Sequence, residues 1–467
     1  MSSLPASRLW RSGLLPWSST LKDRAAALKN RLSDVQARDH TIHSASDSPE
    51  SVPTKFDLML ADCAARMLNQ YLLGIQRYWA TALPPSPPAQ PVLTVCTQPT
   101  TSPQKSENSE LSPQKTQAIP LNPPHKPSAI KLLDYRPSPP PHSAEFGEIN
   151  QNLRANKKSK KNALKKPILV IPSLINRAHI LDLSEKNSFM RHLGANLSAE
   201  GFAPFLLDWG TPGTLECQYD LADYVKIPLS DALSALSAWS RDGNPPQPVT
   251  VIGYCMGGVL ALALTLRNPH LIKNLVLLAT PWDIHADKAL RQRFVAARPW
   301  FIKFLGGWLK SGASLPVDLI QGLFFAIDPM LNLRKFIALA HETDPEKQRQ
   351  FALVEDWVND GTPLAGLVAR ECLLGWYGEN QLAKCGWQID GQVIHPASFP
   401  SDWGGRCLAV IPHNDRIVPP DSALALAAIL PNCTVLRPRL GHVSMMCAAS
   451  ARAVMWDDVT DWIAATP

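Results

Sequence analysis

No stretch of this chain is long and apolar enough to span a bilayer, and the N-terminal "SRLWRSGLLPWSS" lacks the apolar core and small-residue cleavage site of a secretion signal. Cysteine is present without pattern: nine residues, an odd number, scattered and with no CxxC pair. That argues against a disulfide framework and against a zinc site, and it suits a reducing, cytoplasmic setting in which a thiol can work. No groove-reading motif and no basic run interleaved with aromatics points to nucleic acid. The net charge of +6 is mild, and much of it lies in "RANKKSKKNALKK" (154–166), which reads as a solvated loop.

Proline, by contrast, is abundant. Of the 43 prolines, 16 crowd between Leu83 and Pro141, with "LPPSPPAQP", "NPPHKP" and "RPSPPPH" among them. Such a segment cannot bury enough apolar surface to fold by itself and is expected to be an extended linker. At 467 residues the chain exceeds what one core needs, so one large domain with a substantial insertion and poorly ordered extensions is expected. The division is 1–54 disordered, 55–83 an amphipathic helix, 84–130 a Pro-rich linker and 131–467 a catalytic domain. The helix rests on Leu60, Ala64, Met67, Leu68, Tyr71, Leu72, Ile75, Tyr78 and Trp79 at helical spacing. Its apolar face calls for docking on the catalytic domain or on another subunit, with a lipid or polymer surface as the alternative.

From Pro167 onward short β-rich runs alternate with helical segments, the texture of a mostly parallel sheet covered on both faces. The strand candidates are "ILVIPSLI", "FAPFLLDW", "VTVIGY", "NLVLLAT", "CLAVIP" and "CTVLRP". Between Pro281 and Gly405 the alternation gives way to helical, aromatic-rich patterns. A helical insertion at about 284–404, between two strands of the sheet, is expected to form a lid.

One of these strands runs into "VIGYCMGG" (251–258). A β-branched run, a sharp bend and the helix-forming "VLALALTLR" make a strand-to-helix elbow, with Gly253 and Gly257 two residues to either side of Cys255. The pattern is a G-x-S-x-G nucleophile elbow with sulfur in place of oxygen, and it marks Cys255 as a nucleophile rather than a buried structural cysteine. A thiol nucleophile needs a base and an acid that orients the base. Asp415 follows "CLAVIP" and His442 follows "CTVLRP", so both sit where parallel strands carry chemistry, in the order nucleophile, acid, base. His413 is the rival base, Asp208 precedes the nucleophile, and Asp283 reads as a helix cap. An oxyanion hole would use the backbone N–H of Met256 and one near Ile175, in the loop after the first central strand, where Asn176 and Arg177 also lie.

Taken together, "LLDYRP", "PSLINRAHILDL", "FLLDWGTPG", "GYCMGG", "LLATPWDI", "DRIVP" and "GHV" resemble the polyhydroxyalkanoate synthases, from about Lys131 to the C-terminus. The resemblance implies an α/β-hydrolase fold and an acyltransferase that links 3-hydroxyacyl units from coenzyme A thioesters into polyester. It implies Cys255 as acyl-carrying nucleophile, His442 as base and Asp415 as its partner, with no metal or redox cofactor. It further implies growing polyester as partner, a polyester granule as surface, and self-association or a companion subunit. Arg416 stands where the family usually has a histidine after the aspartate, and "QGLFFAIDPMLN" does not match the short- and medium-chain lid segments. Two alternatives remain at this point: a thioesterase or polyester hydrolase using the same triad, and a non-enzymatic granule- or membrane-associated scaffold.

Overall fold

All six runs expected as strands are strands, and with two more they form one eight-stranded sheet. In chain order its members are β1 (Pro91–Thr94), β2 (Lys131–Asp134), β3 (Lys166–Ile171), β4 (Phe202–Asp208), β5 (Val249–Tyr254), β6 (Ile272–Leu278), β7 (Arg406–Val410) and β8 (Cys433–Leu436). The computed structural model describes residues 55–81, 91–94, 130–136, 166–241, 247–327 and 330–465. Segment 1–54, most of 84–130 and the basic run as far as Lys165 lie outside the described residues.

Spatially the strands run β1-β2-β4-β3-β5-β6-β7-β8. From β4 to β8 all pairings are parallel, whereas β2 joins β4 and β1 joins β2 antiparallel. The central strands β3, β5 and β6 are buried along almost their whole length, which is why they read as continuous apolar runs rather than alternating ones. The strand β1 falls inside the segment expected as an unstructured linker. A proline is tolerated there because Pro91 opens an edge strand, where its missing N–H removes no ladder bond from the interior.

The described residues form two compact units, one from those within 55–81 and 322–361, the other from the remainder up to 321 and from 362 onward. The insertion expected as a single lid over 284–404 is therefore divided. In the sheet-bearing unit it supplies the helix Lys288–Leu305, the helix Gly366–Arg370 and the nine-residue π-helix Glu371–Glu379. A short antiparallel pair, Ser314–Leu315 with Leu364–Ala365, closes this unit near the points where the chain leaves and returns.

The other unit contains the expected amphipathic helix, which runs Lys55–Ala80, together with the helices Leu331–His341 and Pro345–Asn359. Ile75 and Tyr78 pack with Phe336, Leu339 and Ala352. At Gly74 a Cβ would lie 2.6 Å from the Phe336 carbonyl carbon, so only glycine permits this helix crossing. Arg77 donates to the carbonyls of Leu339 and Glu342, at the C-terminal end of Leu331–His341. The Tyr78 hydroxyl donates to Asp356 at 2.6 Å. The N-terminal helix thus finds its partner within its own chain; Met67, counted in its apolar stripe, is 42% exposed.

Candidate active site

Cys255 occupies the bend between β5 and the helix Met256–Arg267, with φ 56° and ψ −126°. Positive φ is unfavourable for a residue with a Cβ and persists only where the surroundings enforce it. Here the enforcement is visible. The Cys255 N–H donates to Leu278 O of β6 at 2.8 Å, and its carbonyl accepts from Gly258 N at 2.9 Å. The neighbouring glycines let the helix come this close. A Cβ on Gly253 would sit 2.6 Å from Gly257 O, and one on Gly257 would sit 2.5 Å from Pro172 O. Gly258 is pressed against the Thr280 side chain in the same way. Beyond the bend every residue from Met256 to Leu266 is buried, matching an apolar pattern that runs right round the helix.

Two loops at the C-terminal ends of β7 and β8 bring the acid and the base. The Asp415 side chain is fully buried. Its Oδ1 accepts from the backbone N–H groups of Ile417 at 2.9 Å and Val418 at 2.8 Å, and its Oδ2 lies 2.7 Å from His442 Nδ1. That arrangement fixes the ring through Nδ1 and leaves Nε2 for the sulfur, with Cys255 near enough to act on the charge of the imidazole. Burial opposes a charge on His442, but the Cys255 sulfur and the Asp415 carboxylate outweigh it and push the imidazole up to about 10.

The structure therefore brings Cys255, Asp415 and His442 together. Met256 follows directly as the first residue of the elbow helix, with its N–H among the donors such a helix end leaves without intrahelical partners. The Ile175 N–H instead donates to Ser173 Oγ at 3.1 Å, and Asn176 beside it has φ 66°. His413 is exposed, its ring 3.4 Å from Asn414 Oδ1, and Arg416 is exposed too. Asp208 accepts from Gly210 N at its strand end. Asp283 is not a helix cap: it lies ahead of the helix that starts at Lys288 and accepts from His285 N and Asn380 Nδ2, tying a turn to the π-helix end. Among the described residues no group of three or more His, Cys, Asp or Glu is arranged to hold a metal ion.

Three neighbours of the site were not singled out from the sequence. Tyr254 lies directly before the nucleophile. Cys372 and Tyr377 come from the π-helix, Cys372 Sγ standing 3.9 Å from Met256 Sδ. Burial, with the nearby Cys255 charge adding, pushes the Tyr377 hydroxyl far above its ordinary range. The opposite side of the same helix lines a cleft of about 600 Å³ with Glu371, Leu374 and Glu379, facing Arg298 and Ile302.

A family model described as alpha/beta hydrolase fold matches residues 166–446. The chain is 25% identical over 302 residues to the poly(3-hydroxyalkanoate) polymerase subunit PhaC of Haloferax mediterranei, covering 64% of this chain and 58% of that protein. To the protein of the same name from Haloarcula marismortui it is 25% identical, covering 63% and 60%. To that from Synechocystis it is 26% identical over 313 residues, covering 65% and 78%. The chain thus spans about three fifths of the length of the Haloferax and Haloarcula relatives.

Proposed function

The chain belongs to the alpha/beta hydrolase fold family, and from that premise we propose that it is an acyltransferase of the poly(3-hydroxyalkanoate) polymerase kind, carrying the growing acyl chain on Cys255. The observation that carries the reading is the thiol at the strained elbow, beside a histidine that a buried carboxylate orients. On this reading the Cys255 thiolate attacks the thioester carbonyl of a 3-hydroxyacyl-CoA. The Met256 N–H meets the oxyanion, and a second donor from the Ile175 loop does so once that N–H turns from Ser173. As the intermediate collapses, coenzyme A leaves as a thiol with the proton His442 held. The acyl group now forms a thioester to Cys255, and its energy is retained because one thioester has replaced another. His442 then takes the proton of a hydroxyl on another acyl unit, whose oxygen attacks the acyl-cysteine. An ester forms, the thiolate is restored, and the chain has grown by one unit.

The substrates on this reading are 3-hydroxyacyl-CoA and growing polyester, with the reaction in the cytoplasm, at a granule surface, in a self-associated protein or one with a companion subunit. No helix among the described residues is long and apolar enough to cross a membrane. A second reading, hydrolysis with water as acceptor, draws on Arg416 standing where the resembling family has histidine. The product decides between them. Incubated with 3-hydroxybutyryl-CoA and a medium-chain analogue, the protein should release coenzyme A and leave insoluble polyester; free hydroxy acid in stoichiometric yield would establish the hydrolase instead.

A further inference from the structure

Tyr254 ends β5 in the ladder position opposite Leu278 and is almost completely buried. Its hydroxyl donates to the main-chain carbonyl of His442 at 3.1 Å. Its ring faces the His442 imidazole with centroids 5.2 Å apart and planes 32° from parallel. One side chain therefore touches both the backbone and the ring of the base, and the next residue in the chain is the nucleophile.

The base has need of such a contact. Between the end of β8 at Leu436 and the short helix Ser444–Cys447 the chain is irregular. The loop is held by local bonds, Gly441 N to Ser444 Oγ at 2.7 Å and Met445 N to Gly441 O at 3.0 Å, and by Asn414 N to Leu440 O at 2.9 Å. These fix its neighbours; the carbonyl of His442 itself is fixed by Tyr254. Asp415 sets the rotation of the imidazole from one edge, and the tyrosine ring limits its tilt from one face.

We infer that Tyr254 is a positioning residue for the thiol–imidazole pair, setting the place of His442 relative to Cys255 from the nucleophile's own strand; the inference rests on the proposed triad. Burial and the nearby Cys255, Asp415 and Cys447 hold the phenol protonated, so it serves as a donor throughout the pH range of the reaction. The face it presents to an imidazolium also favours the charged ring. Filling core volume alone would require neither the hydroxyl nor the ring orientation.

The test uses the full chain and the pH profile of Cys255 alkylation by iodoacetamide, followed by mass spectrometry of the peptide that bears Cys255, so that the other thiols do not contribute. Tyr254→Phe keeps the ring and removes the hydrogen bond; Tyr254→Leu removes both. The phenylalanine variant should react on the order of 5-fold more slowly at neutral pH, the effect of losing one buried hydrogen bond, with its profile displaced toward alkaline pH. The leucine variant should be displaced further, and if it fails to fold the phenylalanine variant alone decides. His442→Gln is the reference. Profiles of the tyrosine variants that superimpose on the parent while His442→Gln moves would overturn the inference and leave the triad intact. An unmoved His442→Gln profile would overturn the triad reading and this inference with it.

Discussion

At Cys255 the fold holds a residue in backbone that costs about 1–3 kcal/mol, and the return is a sulfur at the end of a buried strand, presented to a histidine. The residues that serve it are few and individually constrained. Asp415 spends one oxygen on two backbone N–H groups and the other on His442, so its position in the loop and its effect on the base come from separate atoms. Asp415→Asn separates the two. An amide oxygen can still accept from Ile417 and Val418, so thermal stability should change little. The charge that supports the imidazolium is lost, so the rate of coenzyme A release should fall by about 10²–10⁴. Parallel losses of melting temperature and activity would mean that Asp415 is structural. The sequence pointed to these three side chains because each follows a strand. It pointed less well to what surrounds them: a tyrosine before the bend reads as core, and the Ile175 N–H, expected to face an oxyanion, is turned to the Ser173 hydroxyl by loop geometry that no spacing discloses.

Among the elements, those that were legible are those whose burial is uniform. The strands β3, β5 and β6 and the elbow helix carry unbroken apolar runs because both faces are covered. Less legible were β1 and β2, four residues each at an antiparallel edge, where neither periodicity nor length distinguishes a strand from a loop. The π-helix Glu371–Glu379 was hidden for another reason. Its sequence reads as ordinary helix, while its widened turns place Cys372 and Tyr377 by the site and Glu371 and Glu379 in the cleft. Glu371 shows what this placement does. Burial pushes its carboxyl up to about 7 from the ordinary 4.5 despite the 2.7 Å bond it accepts from Leu221 N, and Asp220 and Asp223 add to the rise. A carboxyl raised in the folded state contributes stability that is full below its unfolded value and is lost as pH rises through its folded one. Glu371→Gln keeps the acceptor and removes the charge. It should therefore leave the melting temperature unchanged near pH 4.5 and raise stability on the order of 2 kcal/mol at pH 8. Equal melting temperatures at pH 8 would contradict this.

On the scale of the whole molecule, the sheet-bearing unit follows the expectation drawn from strand order, while the other unit does not follow from any local pattern. An apolar stripe on the helix Lys55–Ala80 demanded a partner without naming one. That partner proves to be the helices Leu331–His341 and Pro345–Asn359, more than 250 residues away in sequence, received at Gly74 and secured by Arg77 and Tyr78. Long-range docking of this kind depends on complementary surfaces, and a hydrophobic pattern records only that a surface exists. The same difference explains the divided insertion: its helices were legible, their allegiance was not. The chemistry proposed for the molecule nevertheless turns on a single bond, the thioester to Cys255. The direct measurement is mass spectrometry of the full-length chain acid-quenched after mixing with 3-hydroxybutyryl-CoA. An acyl group on the peptide bearing Cys255, released by hydroxylamine, is expected, together with loss of both the adduct and coenzyme A release in a folded Cys255→Ala variant. Undiminished coenzyme A release by that variant, with no acyl group on Cys255 of the parent chain, would contradict it.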